Sequence, residues 1–167
     1  RFLRGFFRDD INRTRLSINA MVREERKFKG KWPNVGETVV CLYNQRRRGI
    51  FNGELYTVVK VRGESNLISL LDLLTEDGRL IPEVPTIKEQ YNKERKLSEK
   101  ELPEGLSDNA AFFDYGYALT CHKSQGSEFD TVCVVDEAPT SAMWDVRRWR
   151  YTAATRAAKK LYWKCVV

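Results

Sequence analysis

Residues 116–132 read GYALTCHKSQGSEFDTV, and further along residues 150–161 read RYTAATRAAKKL. In the first stretch Thr120, His122, Lys123, Ser124 and Gln125 crowd hydrogen-bonding side chains between a short β-rich run (Tyr115, Tyr117, Leu119) and Gly126. Such density at a strand end suits a loop that holds phosphates. The second stretch, Tyr151 to Ala158, has the small residues of a closely packed helix and one arginine, Arg156, that the apolar pattern does not require. An arginine so placed can reach a phosphoryl group, a contact worth about 10³ to 10⁵ in rate in NTPases. Each residue also has a plainer reading. His122, the one histidine, can be a packed or solvated side chain, Lys123 a solvated lysine, and Arg156 the partner of a neighbouring acid.

Outward from these stretches the pattern is α/β. A strand near 115–121, a polar turn or short helix at 123–126, a strand near 130–136, a helix over about 143–158 and a strand over 160–167 give a β-α-β-α-β order. That order implies a mainly parallel sheet. Trp144, Arg147, Arg148 and Tyr151 follow helical spacing, so the tryptophans read as packing. Upstream, Asp9, Asp10 and Thr14 are N-cap candidates for a helix with apolar positions Leu16, Ala20, Met21 and Val22, ended by Trp32-Pro33. The opening Arg1-Phe2-Leu3 and Phe6-Phe7 read as a strand opened partway, as in a fragment.

Between these parts lies a different texture. β-Branched strands at 37–43, 55–61 and 67–73, with turns at Asn52-Gly53 and Asp77-Gly78, suggest a small barrel. Arg46, Arg47 and Arg48 sit in its first loop, as a grip on a nucleic-acid backbone or as a solvated hairpin tip, with Phe51 nearby as a stacking ring or a core residue. Residues 86–109 are rich in charge and read as a connector with at most one exposed helix.

Residues 115–163 resemble the fifth and sixth conserved motifs of superfamily 1 DNA helicases, most closely the RecD-like and Dda-like branch. Residues 12–19, NRTRLSIN, resemble the fourth motif. Gly36-Glu37-Thr38-Val39, followed by Asn44 and Asn52-Gly53-Glu54, resembles the Src-homology-type (SH3-like) barrel inserted in such helicases. The resemblance implies a RecA-like, P-loop NTPase-type parallel-sheet domain carrying that barrel. Residues 1–35 would be its first part, 36–85 the barrel, 86–109 the connector and 110–167 its second part.

It also implies an ATP-dependent helicase or translocase that moves 5′ to 3′ on single-stranded DNA. Thr120, His122 and Lys123 would face the DNA backbone, Gln125, Gly126 and Glu128 the nucleotide, and Arg156 would be the arginine finger. Arg15, ahead of Arg13, would contact phosphate, or both belong to a basic solvated helix start. ATP and Mg²⁺ would be bound mainly by an N-terminal RecA-like domain of the same polypeptide. Partners would be single-stranded DNA and nuclease or replication proteins, in DNA repair, recombination or replication. A non-catalytic nucleic-acid-binding module and a motor subunit of a RecBCD-type exonuclease complex are the other readings.

Several features set bounds. None of the ten glycines opens a G-x-x-x-x-G-K-[ST] loop, so a phosphate cradle has to come from elsewhere, and the fragment alone is expected to be inactive. The run 131–138, TVCVVDEA, imitates a magnesium-binding strand but lies on the wrong side of the fifth motif. Asp136 and Glu137 are therefore expected to form a structural turn. Cys41, Cys121, Cys133 and Cys165 lack C-x-x-C spacing and read as reduced packing residues, with no metal site. A net charge of +6 favours a polyanionic partner, and the sequence carries neither a membrane-spanning run nor a signal peptide, from which a cytoplasmic location is expected.

Overall fold

The computed structural model describes residues 2–102, 106, 110–136 and 145–165, with residues 2–12 and 99 described by their backbone. The chain divides into two compact units, Asn12–Ala118 and Arg1–Ile11 with Leu119–Val167.

In the first unit the β-branched runs form β1 (Thr38–Cys41), β2 (Leu55–Glu64), β3 (Ile68–Thr75) and β4 (Leu80–Ile87), joined later by β5 (Phe113–Tyr115). They pair antiparallel in the order β4-β3-β2-β1-β5. Gly53 and Gly78 take φ of 88° and 85°, a region that favours glycine, at the two expected turns. Strand β4 carries Pro82 and Pro85 and a residue at positive φ, Glu83. Such a strand is tolerated at a sheet edge, which is where the order puts it. The two edges approach one another at Ala111, whose amide donates to Pro85 O (2.6 Å) and whose carbonyl accepts from the Ile87 amide (3.0 Å). Inside, Val39, Tyr56, Val58, Leu71, Leu73, Val84, Tyr91 and Phe113 make the core, with Tyr56 and Phe113 edge to face at 5.7 Å.

One expectation is corrected here. The strand foreseen at 115–121 as the start of a parallel sheet is β5, which pairs antiparallel with β1 (Val39 opposite Tyr115). It stops at Gly116, where a Cβ would stand 2.7 Å from Leu55 Cδ2. The charged region 86–109 is held by specific bonds over its described part. The Gln90 amide is buried and holds the Leu97 amide (2.8 Å) and Arg95 O (3.2 Å), while Arg95 forks onto Glu101 at 2.8 and 2.7 Å.

Helix α1 (Phe2–Glu25) starts well before the expected caps, and Phe6-Phe7, foreseen as strand, lie within it. Its end is a Schellman turn: Lys27 takes φ of 61°, Phe28 N donates to Arg23 O and Lys27 N to Glu24 O, so the helix stops short of Trp32-Pro33. The apolar stripe foreseen for it is not its docking face, since Met21 is 60% exposed and Ala20 is exposed too. Docking is polar instead, through residues spaced i, i+4, i+8 along one face. Arg15 Nη1 meets Asp114 Oδ2 at 2.5 Å. Asn19 gives Nδ2 to Tyr115 O (3.2 Å) and accepts from the Ala118 amide (2.8 Å), and Arg23 Nε meets Glu37 Oε1 at 2.6 Å.

The second unit contains β6 (Phe129–Asp136), α2 (Val146–Ala154) and β7 (Ala157–Cys165). β6 and β7 are parallel, so the expected β-α-β-α-β order is, among the described residues, β6-α2-β7. α2 is shorter than the helix foreseen at 143–158, because Asp145 Oδ1 caps it by accepting the Arg148 amide (3.0 Å) and Ala157 already begins β7. Trp144 and Glu137 lie outside the described residues.

Asp114→Ala, which strands the Arg15 guanidinium in the interior, is expected to cost about 3 to 5 kcal/mol in urea unfolding. Met21→Ala is expected to change stability by less than about 0.5 kcal/mol. Arg95, then the Ser98 amide and hydroxyl, pull the Glu101 carboxyl from its ordinary 4.5 to about 2. A carboxylate whose folded value is depressed contributes fully above the unfolded value, so this tie is lost as pH falls from 4.5 toward 2. Hydrogen-exchange protection across 95–101, taken relative to the intrinsic rate at each pH, should therefore fall over that window in the wild type and show no such step in Glu101→Gln.

Candidate functional site

The polar run after Gly116 folds as two linked turns of the second unit. Thr120 O accepts from the amides of Lys123 (2.9 Å) and Ser124 (3.2 Å), Ser124 Oγ donates to Cys121 O (2.9 Å), and Ser127 N donates to Ser124 O (3.1 Å). Gly126 takes φ of 89°, with open space where a Cβ would sit, so glycine serves the backbone conformation there. The amides of Lys123, Ser124 and Ser127 are thus used inside the loop. His122, Gln125 and Glu128 are exposed, Thr120 and Lys123 partly so, and Ser124 is buried.

Arg156 does not lie in α2 but at the joint between α2 and β7. Its Nε donates to Thr152 O (3.1 Å), Nη1 to Ser127 O (2.9 Å) and Nη2 to Thr155 Oγ1 (3.1 Å), and its carbonyl accepts the Phe129 amide (2.8 Å). Every one of these acceptors is neutral, and among the described residues Arg156 forms no ion pair. The guanidinium is thus fixed in direction by its neutral partners. Cys121 adds a second tie, with Sγ 3.8 Å from Trp149 O; burial raises its thiol pKa and nearby Arg156 opposes that rise. The fold therefore brings Arg156 against the loop holding Thr120, His122, Lys123, Gln125, Gly126 and Glu128.

The other candidates lie in the first unit. Arg15 is 5% exposed, bonded to Asp114 and to Lys93 O (2.7 Å). The guanidinium expected to meet a phosphate is here the buried half of an ion pair, because α1 turns it toward β5. Arg46, Arg47 and Arg48 form an exposed 3-10 turn closed by Gly49 in the left-handed region. Phe51 is 44% exposed, its amide donating to Tyr56 Oη at 3.2 Å.

Asp136 ends β6 as a buried acceptor of Arg150 Nε (2.7 Å) and Trp163 Nε1 (3.1 Å), and Trp163 packs edge to face on Trp149 at 6.4 Å. It anchors α2 and β7 to β6 rather than making the turn foreseen for it. Arg150 and Trp163 were not singled out in the sequence, since either reads as an ordinary surface or packing residue until the strand register is known. Among the described residues no group of three or more His, Cys, Asp or Glu is placed to hold a metal ion, and no helix is long and apolar enough to cross a membrane.

Residues 115–163 match the family model described as the UvrD-like helicase C-terminal domain. Among solved structures, Pif1 helicase from Bacteroides in complex with ADP-AlF3 and single-stranded DNA is similar with a TM-score of 0.52 and 18% identity, over 90% of this chain and 38% of that one. Bacteroides Pif1 bound to single-stranded DNA has a TM-score of 0.48 and 20% identity over 80% and 30% of the two chains. Pif1 helicase from Candida albicans has 0.47 and 18% over 85% and 35%. The chain thus spans well under half the length of these relatives. No curated protein matches.

Asp136→Ala leaves the Trp163 indole and the Arg150 guanidinium without their shared acceptor. It is expected to lower stability by about 1 to 3 kcal/mol, read as a lower Tm together with a red shift of tryptophan emission.

Proposed function

We propose that this chain is the second motor domain of an ATP-dependent superfamily 1 DNA helicase that moves 5′ to 3′ on single-stranded DNA. Arg156 is its arginine finger, and the antiparallel sheet of the first unit is the inserted SH3-like barrel. The observation that carries the reading is the Arg156 guanidinium, steered by three neutral acceptors against the loop 120–128 and, among the described residues, paired with no carboxylate. The match over 115–163 and the ADP-AlF3 and single-stranded DNA bound by the similar Bacteroides Pif1 helicase support the same reading.

In this reading Arg156 and the loop 120–128 contribute part of a nucleotide site. Arg156 and Gln125 offer donors to phosphate oxygens, the Nη2 bond to the exposed Thr155 hydroxyl being the one most readily exchanged. Gly126 keeps the approach open, and Glu128 lies beside it. With no Walker A loop in the sequence, the remaining phosphate contacts and the Mg²⁺ ligands belong to a first motor domain. Bound Mg-ATP would supply the phosphoryl transfer that such motors use. Earlier in the same loop, Thr120, His122 and Lys123 would present a hydroxyl, an imidazole and an ammonium to a DNA backbone. Arg46, Arg47 and Arg48 offer a second, separate grip.

In the complete enzyme, Arg156→Ala and Arg156→Lys are expected to reduce DNA-stimulated ATP turnover by about 10³ or more, with single-strand affinity kept within about twofold. The lysine variant keeps the charge but not the three-directional fork, so it separates finger geometry from charge alone. Turnover near the wild-type rate in Arg156→Ala would remove the finger assignment.

A further inference from the structure

Arg79 was not among the sequence candidates, yet the structure sets it against the three-arginine turn. It closes the tight β3–β4 hairpin, where Thr75 N donates to Arg79 O (2.9 Å), Arg79 N donates to Thr75 Oγ1 (2.8 Å), and Gly78 takes φ of 85°. From this fixed base its side chain crosses to the β1–β2 loop and Nη2 donates to Gly49 O at 2.8 Å. The approach is so close that a Cβ on Gly49 would stand 2.7 Å from Arg79 Nη1. Gly49 is the left-handed cap of the 3-10 turn, its amide donating to Arg46 O at 3.1 Å. Arg79 therefore holds the residue that closes the turn, and adds a fourth exposed guanidinium.

We propose that Arg79 and the turn Arg46–Arg48 form one two-loop site for the phosphodiester backbone of single-stranded nucleic acid, in which Arg79 both contacts phosphate and positions the turn. Successive residues of a 3-10 turn project about 120° apart, so Arg46, Arg47 and Arg48 fan outward and cannot converge on one carboxylate. A chain of spaced charges can engage several of them. Among the described residues none of the four arginines is held in an ion pair. The acids of the hairpin turn are Glu76 and Asp77; Asp77 accepts from the Thr75 hydroxyl, which pulls its carboxyl down more than Arg79 does.

Two exposed rings flank the loop, Tyr43 at 57% and Phe51 at 44%, and Lys96 Nζ lies 3.8 Å from the Tyr43 ring centroid. Exposed rings beside guanidiniums suit stacked bases and cation–π contacts, whereas an acidic peptide would use the charges alone. The inference deepens the proposed DNA grip of Arg46–Arg48 but is independent of the Arg156 site.

The test is fluorescence anisotropy of the 167-residue chain with a labelled twenty-nucleotide oligo-dT across a salt series, alongside a poly-glutamate of equal length. One lost phosphate contact flattens the log-log salt slope by about 0.7, which over one decade of salt is about fivefold in Kd. Arg79→Ala is expected to weaken oligo-dT binding by at least about fivefold at 0.1 M salt and to speed hydrogen exchange at 46–49. Arg79→Lys is expected to recover the slope but not the exchange protection, a split that separates positioning from charge. Affinity and slope unchanged in Arg79→Ala, or poly-glutamate bound as tightly as oligo-dT, would overturn the proposal. Lys123→Ala distinguishes the two readings. Binding lost there but kept in Arg79→Ala and in the triple alanine variant of 46–48 would leave the motor reading standing and sink this one, and the reverse pattern would do the opposite.

Discussion

Two buried carboxylates, Glu37 and Asp114, organise the first unit. Asp114 sits in β5 and takes Arg15 on one oxygen and the amides of Asn92 (2.9 Å) and Tyr115 (2.8 Å) on the other. Glu37, just ahead of β1, takes Arg23 on both oxygens and also the Asn34 amide (2.7 Å). Removing such charges from water costs several kcal/mol apiece, and only this full set of donors offsets it. The benefit is registry. A Leu stripe slides along a sheet at little cost, but Arg15, Asn19 and Arg23 find their acceptors in one alignment only. Arg23 adds its guanidinium face 4.1 Å above the Tyr115 ring, so the same residue fixes depth as well as register.

That arrangement also explains where the sequence was legible. β1, β2 and β3 announce themselves through β-branched runs ending in Asn-Gly and Asp-Gly, because those signals are local. β4 hides behind Pro82 and Pro85, which argue against a strand unless it is known to lie at an edge. β5 is three residues long, and its partner β1 lies far back in the chain. For α1 the hydrophobic pattern misled, since its buried face is built from residues that ordinarily seek water. Arg15 reads as a phosphate ligand for the same reason that it works as a core residue, a fork of donors that demands an oxyanion, and only the fold says that the oxyanion is Asp114.

The candidate site shows the opposite balance. The run 120–128 and the arginine at 156 are conspicuous in the sequence because hydrogen-bonding groups accumulate there beyond what folding requires. What the sequence could not supply was the join between them. Ser127 O and the Phe129 amide meet Arg156 because β6 and β7 run parallel with Phe129 opposite Ala157. A parallel pair linked through α2 places the loop entering one strand beside the loop entering the other. The reach of Arg156 follows from that topology, and Asp136 at the far end of β6 holds the same pair together.

The meeting of the sheet's two edges at Ala111 has a kinetic side. Val39 cannot find Tyr115, nor Thr86 its bridge to Ala111, until the long intervening stretch has been gathered in, and such distant closures slow folding. The anchors of α1 wait on the same event, since Arg15 and Asn19 need Asp114, Tyr115 and Ala118 already in place. The strand that arrives last is thus the one that locks the helix nearest the start of the chain, and the β1-β2-β3-β4 meander must persist for a time with its β1 edge bare. During that interval the exposed edge is the point at which a folding molecule is open to pairing with a neighbour.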